Sequence, residues 1–127
     1  MTKLEALKIQ YQRAFSRFRE ILEKEKNEVT RDSAIKRFEF TFDLAWKTIK
    51  AFLEEYHNAQ CTSPKTCFRE AFHQRLIDYD EAWLKLADWR NEVVHIYKEK
   101  LADNLYKKLP TALKYFQILI EQIKLKK

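Results

Sequence analysis

Glycine is missing from this chain of 127 residues, and proline occurs only at Pro64 and Pro110. Sheet proteins draw on glycine for tight hairpins, because a residue without Cβ enters positive-φ conformations freely. A glycine-free chain rich in Leu, Lys, Glu and Ala is therefore predicted to be all-α. The same absence excludes glycine-rich phosphate loops of both the P-loop and dinucleotide-binding types. Any nucleotide would have to be met by side chains and helix ends. No apolar run is long enough to span a membrane, and "MTKLEALKIQYQ" mixes charge with apolar residues, unlike a signal peptide. A cytoplasmic protein is expected, with no membrane partner and with Cys61 and Cys67 as reduced thiols.

Charge is plentiful. Lys plus Arg number 25 against 19 for Asp plus Glu, a net charge of +6. That suits a nucleic acid or an acidic partner as readily as a solvated basic surface. The cations are interspersed with acids, and only the terminal "KLKK" forms a run, which reads as a solvated end.

The apolar pattern advances in threes and fours, the mark of one helical face. Leu4, Leu7, Tyr11, Phe15, Phe18 and Leu22 predict a helix over residues 3–27. Ile35, Phe38, Phe42, Trp46, Ile49 and Leu53 predict a second over about 31–57, with Thr30, Asp32 or Ser33 as its N-cap. Ser63 and Pro64 open a shorter third helix to about residue 76, with Phe68, Ala71 and Phe72 inward. Asp80 can cap a fourth helix over 81–97. A fifth begins near Leu101, and Pro110 is expected to kink or divide it. No repeat or linker interrupts the chain. One helical bundle domain over residues 1–127 is the expectation.

The fourth helix carries an unusual set in "RNEVVHIY": Arg90, Asn91, His95 and Tyr97. Arginine grips phosphate through two parallel hydrogen bonds, and histidine moves protons near neutrality. Together they can hold a phosphodiester and transfer a 2′-hydroxyl proton without a metal, with Asn91 orienting either partner. The bland alternative is a helix end with caps and surface groups. On an ideal helix Arg90 and His95 point about 140° apart, so they converge only if Arg90 reaches around or the helix loosens near His95.

"RNEVVHIY" resembles the Arg-Asn-x-x-x-His-x-Tyr motif of HEPN domains. More narrowly, the chain is similar to the nucleotidyltransferase substrate-binding proteins, the HEPN half of two-component modules whose other half is a minimal nucleotidyltransferase. "IKRFEFTFDLAWKTIKAFLEE" resembles that family's second helix, and "SPKTCFREAFHQRLIDYDEAW" its third helix and the approach to the fourth. The similarity is densest over residues 31–97. Two features depart from the family: Arg75 stands where a glycine is common, and Val94 and Ile96 replace small or polar residues before the motif His and Tyr.

The resemblance implies an up-and-down bundle of four to five helices that dimerises. It makes Arg90 and His95 candidate residues of a metal-independent ribonuclease in a toxin–antitoxin module, with Asn91 in support. The implied partner is a small nucleotidyltransferase, and Tyr97 is the implied site at which it attaches AMP. The alternative implied role is a non-catalytic subunit that binds substrate or nucleotide for the transferase. Trp83, Leu86, Trp89, Val93 and Val94, more apolar bulk than one short helix is expected to bury in its own bundle, place the fourth helix near a homodimer axis.

Glu39, Asp43 and Lys47, one helical turn apart, are candidates for substrate or partner binding. Their bland reading is a solvated stripe with an Asp43–Lys47 pair. Phe38, Phe42 and Trp46 have core spacing, with a base-stacking platform as the sharper alternative. His57, Cys61, Cys67 and His73 are zinc-ligand types, but Cys-x5-Cys does not match the usual knuckle. No metal or other cofactor is expected.

Overall fold

Helices account for the regular structure, and the described residues contain no strand. The computed structural model describes residues 1–125; Lys126 and Lys127 of the terminal basic run lie outside the described residues. The elements are α1 (Lys3–Leu22), α2 (Glu28–His57), α3 (Pro64–His73), α4 (Ala82–Glu92) and α5 (Glu99–Leu125), with one 3-10 turn, Val93–His95, between the last two. The long α2 packs against each of the other four helices. Its apolar stripe supplies the core's centre, where Phe38 and Phe42 meet Phe18, Phe68 and Phe116. Tyr11 is buried in the same core and donates its hydroxyl hydrogen bond to the Phe116 carbonyl at 2.7 Å. That bond satisfies a phenol that burial would otherwise penalise.

Helix ends follow local chemistry, not always the stripe. α1 stops at Leu22, its last apolar stripe residue, because Glu23 to Lys26 bring nothing to the core. α2 starts earlier than the stripe suggests. Its cap is Asn27, which accepts the Thr30 amide at 2.9 Å while Thr30 Oγ1 accepts the Asn27 amide at 2.9 Å. Thr30, Asp32 and Ser33 are therefore not the cap. Ser63 caps α3 with Thr66 as its reciprocal partner, and Pro64 takes the first helical position, as expected. Asp80 accepts the Ala82 amide at 2.9 Å and the Tyr115 hydroxyl at 2.6 Å, fixing the start of α4 against α5.

Three expectations need correction. Pro110 does not divide α5, which runs unbroken through it. The residue is exposed, so its ring displaces no core side chain. α4 ends at Glu92 and gives way to the 3-10 turn, so residues 93–97 are not α-helical. Cys61 and Cys67 are joined as a disulfide, not reduced. The loop before α3 folds back on its first turn and brings the two Cα atoms to 5.0 Å, within bridging range. An argument from cellular compartment is blind to that proximity. Pairing also takes both thiols out of any metal set, and among the described residues no group of three or more His, Cys, Asp or Glu side chains is arranged to hold a metal ion.

Arg31 is a buried cation on the first turn of α2. It donates to Glu99 at 2.7 Å, Asp103 at 3.2 Å and Asp32 at 2.9 Å. These acids hold its charge firmly against burial and raise its pKa, and they pin the start of α5 to the start of α2.

Candidate functional site

Arg90 lies in the last turn of α4, where the helix crosses α2. Its Nε donates to Asp43 Oδ1 at 3.1 Å and its Nη2 to Asp43 Oδ2 at 3.3 Å, a two-pronged pair. Nη2 also lies 3.0 Å from Glu39 Oε2. Partial burial works against the guanidinium charge, but Asp43 and Glu39 outweigh it, and the pKa rises. Asp43 pairs with Arg90 and not with Lys47, contrary to the surface-stripe expectation. The i,i+4 spacing would permit an Asp43–Lys47 pair, but the docking of α4 brings the Arg90 guanidinium onto both Asp43 oxygens.

Beside the pair lies an open cavity of about 480 Å³. Phe42, Asp43 and Trp46 form the α2 wall, Ser63, Pro64 and Lys65 the α3 end, and Ala87, Arg90 and Asn91 the α4 wall. Arg90, Asn91 and Asp43 thus come together. Lys65 adds a cation, tied to Asp88 at 2.7 Å. The sequence does not mark Lys65, because its place in the cavity depends on where α3 docks. Phe38 and Phe42 are buried core residues, as their spacing suggests, whereas Trp46 is half-buried and reaches the cavity wall.

His95 and Tyr97 are placed differently. Both follow α4 in the loosened segment, and both are exposed. His95 is not among the cavity's lining residues, and within the described chain no hydrogen bond or ion pair engages its imidazole. Tyr97 is 73% exposed, with Lys98 Nζ 5.9 Å from its ring centre. The apolar groups of α4 are also better covered than the sequence suggests. Trp83 and Leu86 are fully buried, Trp89 and Val93 are half-buried, and only Val94 stands out, 66% exposed. The bundle's own α2, α3 and α5 provide that cover, so apolar crowding gives no reason for a dimer.

The family model of nucleotidyltransferase substrate binding protein-like chains matches residues 8–125. A solved protein from Thermus thermophilus shares 34% identity over 92% of this chain and 99% of its own, with a TM-score of 0.80. HI0074 from Haemophilus influenzae, whose structure is described as the fold of a substrate binding domain of a nucleotidyltransferase, shares 24% identity over 95% of this chain and 96% of its own. Its TM-score of 0.68 establishes a common fold. No curated protein matches the chain. With the family model matched along nearly its whole length, this chain belongs to the nucleotidyltransferase substrate-binding protein-like family.

Proposed function

We propose that the protein is the substrate-binding partner of a small nucleotidyltransferase, acting as one HEPN-like bundle in a two-component module. Family membership supports the association. The observation that carries the binding reading is the state of Arg90. Its guanidinium is occupied by Asp43 and Glu39 at the edge of an open polar cavity, and His95 lies outside that cavity. One chain by itself therefore offers a place to bind, with Asn91 and Lys65 as donors, and no assembled acid–base pair. Tyr97 is the proposed contact with the transferase. Its exposed phenol oxygen can attack the α-phosphorus of ATP in the partner's active site, losing its proton as pyrophosphate leaves.

A second reading has its own observation. The exposed, unengaged His95 imidazole is free to meet groups of another chain. In a homodimer with the α4 ends facing, centred on exposed Val94, Arg90 would hold a scissile phosphate, His95 would move the 2′-hydroxyl proton, and Asn91 would orient them. The protein would then be a metal-independent ribonuclease toxin, and AMP on Tyr97 would block its cleft. Purified, unmodified protein incubated with RNA in EDTA separates the two. The binding reading predicts intact RNA. Cleavage that His95→Ala abolishes, typically a loss of about 10²–10⁴ in rate, replaces it with the ribonuclease.

A further inference from the structure

Helices α1 and α2 enclose a second groove, of about 510 Å³, that the motif in α4 does not reach. Four cations line it: Arg13 and Arg17 from α1, Arg37 and Lys47 from α2. Its one acid is Asp43, whose two oxygens already accept from Arg90. Among the described residues no ion pair engages Arg13, Arg17, Arg37 or Lys47, and Arg37 donates only to the Arg17 carbonyl, at 3.0 Å. Elsewhere some cations have acids, as Lys26 has Asp103 and Lys108 has Glu92, and others, such as Lys85 and Lys107, stand singly on the exposed surface. Single exposed cations need no partner, because water and salt screen them. Four converging on one concave surface repel one another, and an anion filling the groove would reverse that repulsion.

The groove also holds an aromatic ring out of the core. Arg37, Phe40, Leu44 and Lys47 follow steps of three and four and share one face of α2 over about 15 Å. Phe40 is 51% exposed, midway between the cationic ends. Lys36 Nζ lies 5.4 Å from the ring centre, so a flat base would stack on the opposite face while the groove's guanidiniums take phosphate oxygens.

We propose that the α1–α2 groove is a nucleotide-binding site, with the phosphates held by Arg13, Arg17 and Arg37 and the base stacked on Phe40. The site deepens the substrate-binding reading, and rests on it for its biological use. Two sources present the same chemistry: a free nucleoside triphosphate, or a nucleotide within a short single strand.

The test measures binding to the purified full chain by calorimetry, with ATP, a six-nucleotide single-stranded RNA and inorganic tripolyphosphate. Similar affinity for ATP and the oligonucleotide identifies the free nucleotide. Much tighter oligonucleotide binding identifies the chain, and then each arginine removed should lower the log–log salt slope by about one. Under either source, Arg13→Glu and Phe40→Ser should each weaken binding roughly tenfold or more. Tripolyphosphate should respond to Arg13→Glu and not to Phe40→Ser. Lys107→Glu, the same charge change on exposed α5, should leave affinity unchanged, and circular dichroism confirms that each variant is folded. No binding by ATP or RNA at millimolar concentration, or binding that ignores Arg13→Glu and Phe40→Ser, overturns the proposal. Complex formation with the transferase is read separately, so its failure would refute the partner reading and leave the groove standing or falling by itself.

Discussion

Arg75 holds a backbone conformation that glycine ordinarily takes. Its φ is 61°, in the left-handed region where glycine is favoured. Its amide donates to the Phe72 carbonyl at 3.1 Å, and the Leu76 amide donates to the Ala71 carbonyl at 2.9 Å. This closes α3 by the crossed pair of bonds that usually requires glycine. Buried Leu76 then packs onto the bundle and holds the turn in place. Replacing Arg75 with Gly removes the Cβ clash and should raise stability by about 1 kcal/mol, read as a higher urea midpoint with an unchanged m-value. Asp80 supplies a pH-dependent counterpart. The Tyr115 hydroxyl, then the Ala82 amide, hold its carboxyl below the usual range. A depressed folded pKa gives stability that is complete above the unfolded value, about 3.9. That stability is lost as pH falls through the folded value. Tyr115→Phe should therefore lower the urea midpoint at pH 6 and shrink the further loss on acidification below pH 4. Equal acid limbs in the two proteins would rule out this role for the bond.

Among the helices, apolar stripes and caps made most of the fold legible in the sequence. The α1 and α2 stripes needed only periodicity, and Ser63–Pro64 marked α3 by local chemistry. What stayed hidden depended on contacts between distant residues. The Cys61–Cys67 bond requires knowing that the loop turns back. The end of α4 at Glu92 is invisible to a stripe that continues through Val94 and Tyr97. The candidate site divides in the same way. "RNEVVHIY" exposed Arg90 and Asn91 as functional candidates, but the Asp43 and Glu39 clamp on Arg90 and the Lys65 wall come from helix packing. Pro110 gives this scale its prediction. It lies inside α5, exposed, where the Tyr106 carbonyl lacks its usual donor. Pro110→Ala restores that donor without touching the core, and should stabilise the protein by about 1–3 kcal/mol. A thermal midpoint at or below that of the parent protein would mean that the surrounding helix has already absorbed the cost.

For the molecule as a whole, α2 separates two surfaces of different character. One side presents the α3–α4 cavity with Arg90 neutralised, and the other presents four unanswered cations around Phe40. Asp43 borders both, with its carboxylate committed to Arg90. The exposed segment after α4, with His95 and Tyr97, lies outside the cavity, free for a partner chain. No helix among the described residues is long and apolar enough to cross a membrane. The role proposed for this chain is that of binding partner to a nucleotidyltransferase. Its most direct test is light scattering on a size-exclusion column, with the purified chain mixed at micromolar concentration with its cognate transferase. The expected result is one complex with a mass equal to a whole-number combination of the two chains, weakened when Tyr97 is replaced by Glu. Separate elution of the two proteins, with the transferase shown to be active, would contradict it.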